Sequence, residues 1–379
     1  MNTQGQYRIL PLEISITVIS FTIGVGILSL PRALAQELGT ADGWISIILG
    51  GLLFMVLYTL YVRLQRSFPG QTLLQYLGQG PIGKWGVRGL AILFILYFIT
   101  IMSILVRVMS VVINMYLLDQ TPAEVIVASM LLLSTYAVHK GLQGVIHLNL
   151  LFMPIILFVV FSILTINLPG FKLEPLRPVL AEGIVPVLRG IKLTFFAFLG
   201  VEILFFLMAY MKKSDLRALP FNLTVGLITV IYVLVTVFSY SIFSLNATYF
   251  ITFPMLELAK EMDVPGGFIE RLEALMMTVW IMTIFNTICI SHYLIYSIIK
   301  NELLSKTYAT STKTKELLPS VILFFAFIVA FIPNSLTETF TFGDWSGWLG
   351  GINVFAGLLF GYLTLWLRKK RTKFWNKSI

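Results

Sequence analysis

Three kinds of residue are scarce in this chain, and each scarcity removes a class of protein. Cysteine occurs once, at Cys289 inside an apolar run, so no intrachain disulfide can form and no cysteine-based metal cluster is expected. There are three histidines, His139, His147 and His292, and they lack metal-ligand spacing, so a structural or interfacial role is expected for them. Charged residues make up only 12% of the 379 residues, about half of the roughly 25% usual in soluble domains. Nor is there a Ser/His/Asp nucleophile set, a Walker phosphate loop or a dinucleotide fingerprint after a strand, so no enzyme and no cofactor is expected. Residues 1–7 lack the basic start and small-residue cleavage site of a secretory signal, so the first hydrophobic segment is expected to be retained.

What is abundant is apolar surface. Hydrophobic residues reach 58% and mean hydropathy is +0.89, more than a soluble core of this length can hide but what a bilayer requires. The formal net charge of +9 does not point to nucleic acid, because the cations sit between apolar segments rather than on one basic face. The partner implied by composition is the lipid bilayer.

Ten apolar spans are expected, over roughly 11–35, 43–66, 88–118, 122–138, 148–168, 186–211, 218–243, 271–299, 317–332 and 344–367. The fourth and ninth are the shortest. Stretch 71–85 reads as an interfacial helix or loop, and 254–262 as a short helix lying on the surface. With a cytoplasmic N-terminus, the inside connections hold 19 Lys and Arg residues against 7 outside, a positive-inside bias that places both termini in the cytoplasm. No domain boundary appears, and residues 1–379 read as a single transmembrane domain.

Two charges fall deep in apolar surroundings, Arg107 in the third span and Glu202 in the sixth. A charge at the bilayer centre costs about 2.5–3.5 kcal/mol on translocon scales, so such residues face the bundle interior and commonly mark a functional path. The alternative is a structural lock in which Glu202 pairs with Arg107. Gly24 and Gly26 in the first span and Gly200 in the sixth weaken their helices by about 1 kcal/mol each relative to alanine. Close helix packing explains any one of them. Interruptions at matching positions of two five-span halves instead point to a transporter-type binding site, where unwound backbone holds a polar ligand. Thr283, Thr287 and Ser291 share one face of the eighth span, with Asn286 beside it, and Thr100, Ser103 and Arg107 share a face of the third. Such stripes serve either as interhelical glue or as cavity lining.

The run Gly24-Val-Gly26-Ile-Leu-Ser-Leu-Pro31-Arg32-Ala, followed by Asp42-Gly43-Trp44, resembles the opening of the membrane-embedded B subunits of bacterial spore germinant receptors. Phe198-Leu-Gly200-Val-Glu202, Leu176-Arg177-Pro178-Val179-Leu180, Arg107, Glu270-Arg271-Leu272-Glu273 and Trp280 resemble that family too, so the likeness covers nearly the whole chain. It implies membership of the amino acid–polyamine–organocation superfamily. The fold expected is an all-α integral membrane protein of about ten transmembrane helices, a five-plus-five inverted repeat with broken helices one and six. It also implies sensing of a small nutrient, an amino acid foremost, in the spore inner membrane, together with A- and C-type receptor subunits. The ligand site expected on this reading lies at the midplane, at Gly24, Gly26, Ile27, Leu28, Leu199, Gly200 and Glu202. Thr100, Ser103, Arg107, Thr287 and Ser291 would shape the rest. Pro31 and Arg32 are assigned to the outer half of the helix, Arg32 snorkelling or pairing at its end. The rival reading is an amino acid permease coupled to protons or sodium.

Overall fold

Every apolar run folds as a helix, because in lipid each backbone N–H and C=O must be satisfied within its own segment. The structure, a computed structural model, describes residues 7–260, 272–304 and 306–375, and no strand occurs among them. Helix α1 spans Pro11–Leu38. Its first residue is a proline, whose missing N–H is not needed at that position, and Glu13 in the first turn accepts the Leu10 N–H at 2.8 Å. It stops at Gly39, which adopts φ 66° and returns its N–H to the Ala35 carbonyl.

There follow α2 (Gly43–Ser67), the short α3 (Leu73–Leu77), α4 (Gly83–Tyr116), α5 (Ala123–His139) and α6 (Gly141–Ile166). Then come α7 (Val185–Ala197), the single-turn α8 (Leu204–Leu207), α9 (Ala218–Phe250) and α10 (Pro254–Lys260). The chain ends in α11 (Leu272–Ile298), α12 (Lys306–Thr310), α13 (Thr312–Ala330) and the 40-residue α14 (Leu336–Trp375). Thr72 and Gln75 bond reciprocally to each other's backbone N–H and start α3.

Among the described residues, six helices are long and apolar enough to cross a membrane unaided, and two bent pairs bring the number of spans to as many as eight. One pair is α1, bent by 47° between Pro11–Gly24 and Gly26–Leu38. The other joins Val185–Ala197 to Val201–Tyr210 at 43°. The fourth and ninth expected spans are α5, with 17 residues, and α13, with 19; α13 carries Lys313, Lys315 and Glu316 in its first turns. The chain is a multi-pass membrane protein.

Helix α1 runs through the centre, packed by α9, α7, α11, α6 and α10, while α4 lies between α11, α13 and α14. Large apolar side chains such as Leu52, Leu132, Phe158, Leu223 and Phe324 point outward, as a lipid-facing surface requires.

Four expectations change. The first helix bends at its glycines without unwinding, whereas the sixth span is interrupted by a turn over residues 198–200. Helix α10 is not on the surface: Met255, Leu256 and Leu258 are fully buried. Helix α6 begins seven residues before the expected 148, at Gly141. The seventh span ends where expected, because Ser244 leaves helical geometry at φ 68°, but one further helical stretch continues to Phe250. Of the Glu270–Glu273 segment, Glu270 and Arg271 lie outside the described residues.

Candidate functional site

The bend in α1 and the break after α7 open onto one cavity of about 740 Å³. Its walls come from α1 (Thr22, Gly26, Arg32), α4 (Tyr97, Ile101, Leu105), the end of α7 and its turn (Ala197, Leu199), α11 (Thr287) and α14 (Phe340, Ser346). A mostly apolar lining with a few polar groups is the usual make-up of a small-molecule site.

Side chains of neighbouring helices hold the bend of α1 by bonding to its carbonyls. Thr287 Oγ1 donates to Ser20 O at 3.3 Å, Tyr232 Oη to Thr22 O at 2.8 Å, and Trp280 Nε1 to Gly24 O at 2.7 Å. Helix kinks arise at such insertions and at glycines. The Tyr232 hydroxyl also lies 3.1 Å from Ala197 O, so one proton is shared between α1 and the last residue of α7. A Cβ at Gly26 would overlap that hydroxyl. Tyr240 donates to Pro31 O at 2.9 Å.

At the second break, Gly200 adopts φ 133°, a conformation other residues rarely reach, and a Cβ there would lie 2.6 Å from Thr22 Oγ1. The carboxylate of Glu202 turns back onto this break. Its Oε2 accepts the Gly200 N–H at 2.8 Å, and its Oε1 accepts the Tyr97 hydroxyl at 2.5 Å. Glu202 is fully buried, and no cation forms an ion pair with it among the described residues. Two donors therefore take the place of a counter-ion, as buried polar groups require. Because Tyr97 lines the cavity, Glu202 is one hydrogen bond away from it.

The cavity collects only part of the expected site. Gly26, Leu199 and Thr287 line it. Gly24 sits behind the wall, its Cβ position facing Ile284 and Thr287, and Gly200 and Glu202 buttress the wall from the break. Ile27 and Leu28 are buried in the apolar core. Thr100 bonds to the Leu96 and Tyr97 carbonyls and meets the Ser346 hydroxyl at 3.2 Å. Ser103 bonds to Ile99 O and, across to α13, to Ala326 O at 3.0 Å. Both act as glue between helices. Ser291 is buried with no partner for its hydroxyl among the described residues.

Arg107, expected at the ligand site, does not line the cavity, and the alternative lock with Glu202 does not form either; its guanidinium lies 4.8 Å from the centre of the Phe331 ring, a cation–π contact. Arg32, assigned above to the outer end, instead lines the cavity, half-buried, with its Nε shielded from solvent and unpartnered among the described residues. His292 is structural, as expected: Nε2–H donates to Pro319 O at 3.0 Å and Nδ1 meets the Ser134 hydroxyl, tying α11 to α13 and α5. His147, on α6, packs beside the start of α1, its Nε2 3.7 Å from Glu13 Oε1.

The residues that sequence reasoning missed are Tyr97 and Tyr232. Tyr97 lies one turn before Thr100 on the polar face of α4, a weak signal that was present. Tyr232, in an apolar helix, offered none.

A family model described as spore germination protein matches residues 8–339. The chain is 30% identical over 341 residues to spore germination protein YndE of Bacillus subtilis (strain 168), covering 89% of this chain and 90% of the relative. It is 30% identical over 350 residues to spore germination protein GerLB of Bacillus cereus, covering 92% and 91%. Spore germination protein A2 of Bacillus subtilis (strain 168) is 28% identical over 327 residues, with coverage of 86% and 87%. Among solved structures, a substrate-bound, outward-open Na+-coupled sialic acid symporter superposes with a TM-score of 0.66 at 14% identity, over 92% of this chain and 78% of that one. MhsT in complex with L-phenylalanine gives 0.65 at 14% identity, over 92% and 89%. At that identity the likeness is one of fold, and the fold is that of secondary transporters.

Proposed function

The chain belongs to the spore germination protein family, and from that premise we propose that it is the nutrient-sensing membrane subunit of a spore germinant receptor. A small nutrient, an amino acid foremost, binds in the cavity between the bent α1 and the broken helix after α7. The observation that carries this reading is the convergence of both interruptions on a single cavity. Gly26 and Leu199, one from each interruption, stand on its wall. Arg32 supplies a cation for a carboxylate, and the hydroxyl of Thr287 supplies a polar contact. The protein works in the spore inner membrane with both termini in the cytoplasm, beside A- and C-type subunits.

A sensor must bind its ligand more tightly in one conformation than in another. The elements suited to this are the two bends, each pinned by hydrogen bonds from side chains of other helices. Titration of the purified full chain with a panel of amino acids, sugars and nucleosides tests the reading. Saturable binding of one class, lost on Gly26→Val and Gly200→Val, is expected; no binding across the panel would overturn it.

A second reading, a cation-coupled amino acid permease, is favoured by the fold it shares with symporters. Accumulation of labelled amino acid in proteoliposomes, dependent on a proton or sodium gradient, would select it over sensing alone.

A further inference from the structure

Away from the cavity, an apolar groove of about 550 Å³ runs between α2 and α14 on the outer surface. Leu60 forms one side, and Leu358, Leu359, Tyr362, Leu363 and Trp366 form the other. Those five lie at helical spacing along a single face of α14. The groove is built rather than accidental, because Tyr362 Oη donates to the Leu60 carbonyl at 2.9 Å across its floor. Leu359 and Trp366 remain 67% and 52% exposed, so the groove is open to the surrounding medium.

One end of the groove is cationic. Arg63, one turn beyond Leu60, lies within electrostatic reach of Tyr362. Lys370 places its Nζ 3.9 Å from the centre of the Trp366 ring. Arg368 fastens the two helix ends together at this point, donating to Ser67 O and lying over the Phe68 ring. Neither Arg63 nor Lys370 is paired with a carboxylate among the described residues. The sequence supplies none nearby: no Asp or Glu occurs between Asp42 and Asp119, nor anywhere after Asp344. Helix α2 thus carries no anion over its whole length, and α14 carries none beyond Asp344, near its start; both end in cations.

We propose that this groove is a binding site for one anionic phospholipid. An acyl chain lies along Leu359, Leu363 and Trp366, and the phosphate rests between Arg63 and Lys370. The apolar trough fits a chain, and the cation pair at its end selects a charged headgroup over a zwitterionic one. Each Lys or Arg at an anionic lipid surface contributes about 1 kcal/mol, so two contacts correspond to a preference of roughly 30-fold.

Native mass spectrometry of the full chain in detergent, offered equal amounts of phosphatidylglycerol and phosphatidylcholine with the same acyl chains, tests this. Wild-type protein is expected to retain phosphatidylglycerol by roughly 30-fold over phosphatidylcholine. Arg63→Gln with Lys370→Gln should abolish the preference, each single change should reduce it partway, and Lys213→Gln with Lys315→Gln should leave it unchanged. Leu363→Asn, which keeps both cations, should lower retention of both lipids. Equal retention by wild type would overturn the proposal, as would full preference in the double variant. Displacement of the lipid by inorganic phosphate at millimolar concentration would also overturn it, since the headgroup alone would then account for binding. Should the double variant fail to fold, the wild-type preference, the single variants and the phosphate competition decide the matter.

Discussion

The hydroxyl of Tyr232 fills the space that a side chain at Gly26 would need. It bonds there to the Thr22 carbonyl at 2.8 Å and lies 3.1 Å from Ala197 O. One phenol thus touches both interruptions of the fold, the bend of α1 and the end of α7. The glycine is a consequence of that phenol as much as of the bend itself.

Gly26→Ala is therefore expected to cost about 1–3 kcal/mol through overpacking, and less in a Tyr232→Phe background, where part of the obstruction is gone. Thermal unfolding of the four proteins in a double-mutant cycle measures the coupling. Simple additivity would show that the hydroxyl is not what Gly26 accommodates.

Glu202 stays buried without a cation because Tyr97 and the Gly200 N–H both donate to it. Tyr97→Phe leaves one carboxylate oxygen without its donor, which should destabilise the protein by about 1–3 kcal/mol. Glu202→Gln must present an NH₂ group to one of the two donors and should lose stability comparably. Thermal midpoints of both variants, read beside nutrient affinity, check this; an unchanged midpoint in both would contradict the assignment.

The two arginines should behave in opposite ways. Arg107 stacks on Phe331 and does not line the cavity, so Arg107→Gln is expected to leave nutrient affinity unchanged. Arg32 is on the cavity wall with an unpartnered Nε. Arg32→Gln should weaken binding of a carboxylate-bearing ligand roughly tenfold or more, as loss of a charge-assisted hydrogen bond does. Equilibrium binding of one amino acid to both variants separates the two roles.

Removing the ring nitrogen of Trp280 tests the bend directly. Trp280→Phe withdraws the donor from Gly24 O and opens a small void beside α1, for an expected loss of about 1–3 kcal/mol. Spores carrying the variant should show an altered nutrient threshold at equal membrane abundance, measured by loss of optical density after nutrient addition. An unaltered threshold would show that the bend tolerates losing this pin.

Much of this molecule is legible before folding is considered. Apolar runs separated by cations determine that it is an all-helical membrane protein, and Gly24, Gly26 and Gly200 mark where its central helices bend or break. The opening motif is enough to indicate the family. Tertiary structure alone decided which residues meet. Thr287 faces the cavity while Ser291, one turn on, does not. Arg32 joins the wall, whereas Arg107 turns to an aromatic ring, and a tyrosine from α9 takes the position at Gly26. The physical reason is that membrane helices are apolar on every side, facing lipid outward and packed side chains inward. Hydrophobic periodicity, which orients helices in soluble proteins, therefore says little here about which face looks into the protein. Orientation is set instead by close packing and by single hydrogen bonds between helices far apart in the chain.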